Sequence, residues 1–469
     1  MVFLSNCGYG TVSIYMTTLE DLFSRGVASL IDPSGEFRKK VEAKAAGTYD
    51  KEIIIKLGVD PTRPDIHIGH AVILRKLRAF QDIGCKVIFL IGDYTSQIGD
   101  PTGKSKVRPE VSQAEIEANM QTYLDQVGKV LKTDDGVFSW IRNSDWFTNV
   151  TDIEPSARMR VNFNSLMINP TSFVGKAVIF EESRMQKRAL KRSSIQTVSF
   201  SRVLATLRHI THARLIERDM FQERLKNGGE LYMHEMLYPV IQGIDSSILA
   251  TIYGSCDLEI GGTDQTFNML IGRDVMKMNK QPEQAVMSMD ILEGLDGKEK
   301  MSKSLDNYVG IADVPRDMFG KIMSIPDALI GRYFLLATYT PKDEIAEIEL
   351  GLKKGTLHPR DTKMRLAREV VAIYHGDAAA VGAQQDFVNT FSEGNIPENV
   401  PEVSLPEGAT IIDALVAAEC AKSRSDARRL VEAGSVTHME SGEKNTDMNA
   451  VLAPGTYRVG KHRFFRIPE

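Results

Sequence analysis

The sequence predicts an α/β fold: an open parallel sheet, then an α-helical stretch, then a small separate α+β module. Three observations carry this. From Glu52 an apolar strand, a helix near Gly69 to Ile83 and a second strand, Lys86 to Ile91, follow one another within about 40 residues, which is the βαβ pattern. Further apolar segments alternate with helical patterns as far as Ala285 to Leu292, and after Pro315 the apolar spacing becomes helical. The segment Glu393 to Glu407 then holds Pro397, Pro401 and Pro406 among polar neighbours, so it reads as an extended linker with a separate module beyond it.

Taken in order, Met1 to Tyr15 is weakly patterned, and Thr17-Thr18-Leu19-Glu20-Asp21-Leu22 offers a hydroxyl cap to a helix start. Met16 is therefore a candidate translation start, which the intact mass of the native protein decides. The sheet domain is expected over residues 1–315, with a connective insertion near 150–225. Helical patterns at Asp327 to Ala337, Asp343 to Leu352 and Pro359 to Tyr374 make 316–392 a helical domain, followed by a linker at 393–404 and a small domain at 405–469.

At 469 residues and 42% apolar content the chain can bury two or three cores. A net charge of −5 argues against general polycation behaviour and directs attention to local basic faces. Cys7, Cys85, Cys256 and Cys420 are far apart with no CxxC pair, which suggests neither a structural metal nor a disulfide framework and points to the cytoplasm. No apolar run approaches the roughly 20 residues of a membrane helix, so no membrane association is expected.

Two segments some 230 positions apart carry the chemistry. Asp65-Ile66-His67-Ile68-Gly69-His70 sits where a strand turns into a helix, whose free amides and dipole attract anions. His67 and His70 share a face and can both donate to phosphate oxygens, Gly69 permits close backbone approach, and Thr62 in the preceding Gly58-Val59-Asp60-Pro61-Thr62 adds a hydroxyl. Lys300-Met301-Ser302-Lys303-Ser304 is a polar loop flanked by Gly294, Gly297 and Gly310, suited to closing over a polyphosphate. Lys300 and Lys303 are cations that can follow a leaving pyrophosphate, with Ser302 and Ser304 as neutral donors, each well-placed donor being worth about 3–4 kcal/mol. Isolated lysine runs are usually solvated surface; the glycines and the histidine pair favour the site.

Between these segments lie the residues of a small-molecule pocket. Ile98-Gly99-Asp100-Pro101-Thr102-Gly103-Lys104-Ser105 nearly spells a P-loop, but only three residues separate the glycines and Pro101 removes an amide. The segment reads instead as a pocket wall in which Asp100 can bind an ammonium. Tyr238, Gln242 and Asp245 fall at i, i+4 and i+7, one helix face. Gly261-Gly262-Thr263-Asp264-Gln265 follows a strand and can admit a ribose or an amino acid. In the tail, Lys422, Arg424, Arg428 and Arg429 set four cations against one acid over 422–429, suited to an RNA backbone or, more simply, a solvated helix.

These segments together closely resemble class I aminoacyl-tRNA synthetases, specifically the bacterial tyrosyl-tRNA synthetases, from about Glu52 to Asn307 and again in the tail. The resemblance implies a Rossmann-like parallel-sheet catalytic domain, a helical anticodon-binding domain and a small α+β RNA-binding domain similar to one in a small-subunit ribosomal protein. It implies that Asp100, Tyr238 and Gln242 hold the tyrosine α-ammonium and that Asp245 accepts from the phenol, with Gly58 and Thr95 lining the same pocket. Asp60, Gly262, Asp264 and Gln265 would serve the nucleotide, the ribose and the carboxylate. The substrates implied are L-tyrosine, ATP with Mg2+ bound to it, and tRNA-Tyr; the enzyme would be a homodimer, with no structural metal. Catalysis would then be positioning and charge stabilisation, with no protein nucleophile.

Two departures stand out. Many members carry tyrosine two residues before the glycine of Gly58-Val59-Asp60, where its hydroxyl helps bind the substrate phenol; here the residue is Lys56, which a second subgroup tolerates. The stretch Gly175 to Arg202 looks inserted and sets seven cations against two acids, as if to widen a dimer contact or approach an acceptor stem. The alternatives are the tryptophanyl relative, a synthetase-like RNA-binding protein without catalysis, and a small nucleotidylyltransferase. Asp245 with the Tyr238/Gln242 face favours tyrosine over tryptophan, the two signatures favour catalysis, and the helical domain and basic tail exceed what a nucleotidylyltransferase needs.

Overall fold

The computed structural model describes residues 2–4, 16–63, 65–100, 113–147, 198, 200–391, 400–403, 405–406, 408–421, 423–460 and 463–468. The described chain forms two compact units, 1–313 with 324–366, and 314–323 with 367–469. Residues 393–399 of the expected linker 393–404, Lys422 and nearly all of the basic stretch 175–202 lie outside the described residues.

The first unit is built on six strands: β1 (Val27–Ile31), β2 (Ile54–Val59), β3 (Lys86–Ile91), β4 (Phe138–Arg142), β5 (Leu258–Gly262) and β6 (Ala285–Met289). Their spatial order is β1-β6-β5-β2-β3-β4. All neighbours are parallel except the edge pair β1–β6. The antiparallel edge strand was not anticipated. None of its residues is buried and Ala28 is exposed, so it lacks the burial that marks the central strands β2 and β3, most of whose residues are buried.

Helix α1 (Ile68–Asp82) leads from β2 towards β3, and α2 (Gln113–Val127) precedes β4. The chain then returns to the other side of β2: α3 (Met233–Tyr253) enters β5, and α4 (Thr266–Met278) leads to β6. Because the order reverses between β2 and β5, their carboxyl ends open a crevice, the usual ligand position in such sheets. Helices α3 and α4 pack closely because position 243 is glycine: a Cβ there would lie 3.0 Å from Val275 Cγ2 and 3.1 Å from the Ile271 carbonyl. The core below joins Ile54, Ile88, Leu90 and Ile141 of the sheet to Val240, Ile244, Leu249, Ile271 and Val275 of these helices, with Trp146 wholly buried among them.

At the start of the unit, helix Leu19–Ser24 is capped by the Thr18 hydroxyl, which accepts from Asp21 N at 3.0 Å. The three expected helices after Pro315 are found at Ile330–Ala337, Lys342–Lys354 and Pro359–His375, and two more, Pro315–Met323 and Asp377–Phe391, flank them. Residues 324–366 group with the sheet, whereas Pro315–Met323 and Asp377–Phe391 pack together in the second unit through Phe319 and Phe387, 5.4 Å apart.

The tail of the second unit has its own core. Helices α5 (Ile411–Ala417) and α6 (Arg424–Glu432) pack with a four-stranded antiparallel sheet in the order β8 (Lys444–Asn445), β7 (Val436–His438), β9 (Gly455–Val459), β10 (Arg463–Ile467). Leu415, Ala427, Val431, Val436, Val459 and Phe465 meet inside it. Three cysteines, Cys85, Cys256 and Cys420, are free and buried.

Candidate functional site

The crevice between β2 and β5 is a cavity of about 1160 Å³. Gly58, Asp60, Thr62, His67, Gly69 and His70 line it from the β2 end and the start of α1, and Thr95 and Asp100 from beyond β3. Tyr238, Gln242 and Asp245 enter from α3, Gly262, Asp264 and Gln265 from the β5 end, and Lys300 and Lys303 from the loop after β6. Thus every proposed phosphate and amino-acid residue with a described side chain faces one cavity. Ser304 falls in the turn Lys303–Leu305, but its side chain is outside the described residues.

The two signature segments are joined by backbone pairing. Ile68 N donates to the Val309 carbonyl at 2.9 Å, Ile311 N donates to the Ile66 carbonyl at 3.0 Å, and His67 bridges Gly310. The loop is further held by Asn307, whose Oδ1 accepts from Ser302 N at 2.8 Å, and by Met301, which is buried. Residues 230 apart in sequence are therefore neighbours because a short ladder after the lysines closes on the strand-to-helix turn.

At that turn the imidazoles of His67 and His70 stack with centroids 3.7 Å apart. Burial, then each other and the neighbouring lysine charges, hold His67 well below its ordinary value; burial with Lys303 and Lys300 takes His70 down to about 3. Both rings are therefore neutral at pH 7. His70 Nδ1 accepts from His67 N at 3.3 Å, which leaves Nε2–H as the donor. Gly69 has a local reason as well: a Cβ there would lie 2.9 Å from His67 Nδ1.

Lys300 Nζ pairs with Asp264 Oδ2 at 2.8 Å. Lys303 differs. Its Nζ is buried with no hydrogen-bond partner among the described residues and lies 5.5 Å from the centroid of the Tyr123 ring. Burial first, with Arg63 adding to it against the attraction of Asp65, brings Lys303 down to about 8. A cation held this way gains from an incoming anion.

At the opposite end Asp245 is wholly enclosed. Its Oδ1 accepts from Trp146 Nε1 at 2.8 Å and its Oδ2 from Asn143 Nδ2 at 3.4 Å. Burial raises this carboxyl to about 7 against the charge of Lys56 and the two hydrogen bonds. Lys56, fully buried, forms an ion pair with Glu259 at 2.8 Å and donates to Ser246 Oγ at 2.9 Å and the Gln242 carbonyl at 3.0 Å. Its three N–H groups are thereby occupied, so the residue at the departure from the family pattern braces the turn of α3 that carries Asp245.

The remaining pocket residues are held by hydrogen bonds to their neighbours. Tyr238 Oη donates to Asp60 Oδ2 at 2.8 Å, and Thr95 Oγ1 donates to Asp60 Oδ1 at 2.8 Å. Asp100 accepts from Gln265 Nε2 at 2.6 Å and lies 3.4 Å from Arg218 Nη2. Gln242 Nε2 donates to Glu259 at 3.0 Å. Sequence reasoning missed Glu259, Asn143, Trp146, Tyr123, Arg218 and Asn268. Glu259, an acid inside an otherwise apolar strand, was the one visible signal; the others stand alone in sequence.

In the tail, Ser423 caps α6 by accepting from Asp426 N at 3.2 Å. Arg424 pairs with Asp413 of α5, and Arg429 lies 3.4 Å from Asp426, while Arg424, Arg428 and Arg429 remain exposed.

Residues 48–171 and 176–392 match the family described as tRNA synthetases class I (W and Y), and residues 392–466 match the tyrosine–tRNA ligase SYY-like C-terminal domain. The tyrosine–tRNA ligase of Moorella thermoacetica is 40% identical over 95% of this chain and 94% of its own length; that of Shewanella oneidensis is 41% identical over 88% and 90%. In fold, the chain is similar to a C-terminally truncated Aspergillus nidulans mitochondrial tyrosyl-tRNA synthetase (TM-score 0.55, 20% identity, covering 80% of this chain and 94% of that one). It is also similar to the Archaeoglobus fulgidus tyrosyl-tRNA synthetase complexed with L-tyrosine (TM-score 0.51, 19% identity, 78% and 98%). With its signature segments on one crevice and both family matches end to end, the chain belongs to the class I tyrosyl-tRNA synthetases.

Proposed function

We propose that this chain is a tyrosine–tRNA ligase that activates L-tyrosine with magnesium-bound ATP and transfers it to tRNA-Tyr. The observation that carries this reading is one cavity with an enclosed carboxylate, Asp245, at one end and, at the other, Lys303, whose buried ammonium has no hydrogen-bond partner among the described residues.

Tyrosine enters with its phenol towards Asp245, where Trp146 and Asn143 orient the carboxylate that accepts a hydrogen bond from the phenol hydroxyl. Phenylalanine would leave these buried groups unmet, the kind of loss that discriminates strongly; tyrosyl synthetases are themselves the worked example of that principle. Asp100, Tyr238 and Gln242 surround the α-ammonium, while Asp60, Gly262, Asp264 and Gln265 meet the nucleotide, its ribose and the carboxylate. The tyrosine carboxylate attacks the α-phosphate, and pyrophosphate leaves. His67, His70 and Thr62 offer neutral donors to the phosphates, and Lys300, Lys303 and Ser304 take up the charge that develops. For Lys300 this requires exchanging Asp264 for phosphate. A hydroxyl of the 3′-terminal ribose of the tRNA then attacks the tyrosyl carbonyl of the adenylate, forming the ester and releasing AMP.

Arg424, Arg428, Arg429 and Lys422 are the proposed RNA backbone contacts of the tail, and 316–392 the anticodon-binding helices. A cytoplasmic homodimer is the proposed working form; among the described residues no helix is long and apolar enough to cross a membrane. The deciding experiment is ATP–pyrophosphate exchange with tyrosine, tryptophan and phenylalanine supplied in turn. Exchange should depend on tyrosine, and its absence overturns the reading.

A further inference from the structure

A chain of side-chain amides joins the two ends of the amino-acid pocket. Gln265 Nε2 donates to Asp100 Oδ2 at 2.6 Å, and Gln242 Nε2 donates to Glu259 Oε1 at 3.0 Å. An ionised carboxylate only accepts. Each acid therefore makes its glutamine present nitrogen outward and oxygen inward, and the two inward oxygens need a donor between them. Asn268, the third residue of α4, supplies it: Nδ2 donates to Gln242 Oε1 at 3.1 Å and to Gln265 Oε1 at 3.0 Å.

Asn268 is fully buried and does not line the cavity. Its Oδ1 is buried with no hydrogen-bond partner among the described residues. An amide left with an unmet carbonyl is held by what its nitrogen does, because the reversed amide would set one oxygen against two others. Asp100 and Glu259, two carboxylates on opposite sides of the network, thus determine the orientation of three amides, and Asn268 is where their requirements meet.

We propose that Asn268 is a positioning residue for tyrosine recognition: by donating to both glutamine oxygens it fixes the side chains that hold Asp100 at the ammonium end and Glu259 beneath the phenol end. The inference rests on the reading of the cavity as a tyrosine and ATP site. The charged groups facing this network are Asp100 and Arg218 on one side and Glu259, Lys56 and Asp245 on the other.

The test compares Asn268→Ala, Asn268→Ser and Asn268→Asp with the wild type in tyrosine-dependent ATP–pyrophosphate exchange from pH 6 to 9. Asn268→Ala should raise the KM for tyrosine about tenfold or more, the loss expected for two modest hydrogen bonds, while the KM for ATP stays within about twofold of wild type by the same reasoning. Asn268→Ser, which keeps one donor, should fall between. Asn268→Asp has nearly the same shape. Its protonated carboxyl can donate once and its carboxylate not at all, so the tyrosine KM of this variant should climb with pH relative to Asn268→Ala.

An asparagine that only fills space would change both KM values and kcat together, with no added pH dependence. That outcome, or Asn268→Asp matching wild type throughout, overturns the proposal. If Asn268→Asp does not fold, the ordering of the alanine and serine variants decides. Wild type without tyrosine-dependent exchange would sink the underlying reading instead.

Discussion

Replacing Lys56 by methionine should destabilise the sheet unit by about 3–5 kcal/mol, the usual effect of removing one partner from a buried pair. The side chains of Lys56 and Glu259 are 0% and 1% exposed, and their charged atoms are 2.8 Å apart. At an effective dielectric of about 20 the attraction at that separation is roughly 6 kcal/mol. Methionine removes this attraction but also removes the desolvation that the ammonium bears, which brings the net loss into the stated range. Glu259 would be left with neutral donors only, from Gln242, Ser246 and Gln284. The double variant Lys56→Met/Glu259→Gln removes the stranded charge and should recover most of the stability. Both tryptophans, Trp140 and Trp146, lie in this unit, so urea unfolding followed by tryptophan fluorescence reports on it directly. A single variant within about 1 kcal/mol of wild type, well short of a broken buried pair, would refute the reasoning. So would a double variant no more stable than the single one.

Other consequences are equally concrete. Asp245 titrates near 7, so tyrosine affinity should weaken as pH falls through 7 and the acceptor is protonated; Asp245→Asn should abolish that dependence and the preference over phenylalanine. The same raised carboxyl makes stability fall as pH rises from its unfolded value near 4 towards 7, so Asp245→Asn should stabilise the protein more at pH 8 than at pH 5 in urea titrations. Lys303, brought down to about 8, should regain its proton when polyphosphate arrives. Calorimetric titration with ATP at pH 8.5 in buffers of different ionisation enthalpy should show net proton uptake, and Lys303→Met should remove it. Arg25 donates to the carbonyls of Phe334 and Leu335 in the last turn of helix Ile330–Ala337 and of Thr338 and Thr340 just beyond it; Arg25→Ala should cost about 3 kcal/mol in thermal or urea unfolding. Arg428→Ala with Arg429→Ala should weaken tRNA binding and reduce its salt slope by about 2, with pyrophosphate exchange unchanged.

How far such residues could be read beforehand depended on how much of their signal is local. The strand Lys86–Ile91 was legible because, after Lys86, it is an unbroken apolar and buried run, as a parallel strand covered on both faces requires. The α3 face was legible because Tyr238, Gln242 and Asp245 share one helical stripe. Asn143 and Trp146 were not, since their role comes only from the approach of α3 to the end of β4. Lys56 could be named as a departure from its family, but not as the partner of Glu259, 203 residues away and on the neighbouring strand.

The sequence by itself determined the βαβ frame, the two charged signature segments and the helix face between them, because periodicity, turn chemistry and short motifs are properties of contiguous residues. Tertiary structure alone decided that a ladder from Val309 to Ile311 sets the lysines against the histidines, that burial leaves those histidines neutral, and that Asn268 stands between two glutamines. The reason is physical: desolvation and hydrogen-bond direction depend on what lies across the fold, and neither is encoded by neighbours along the chain.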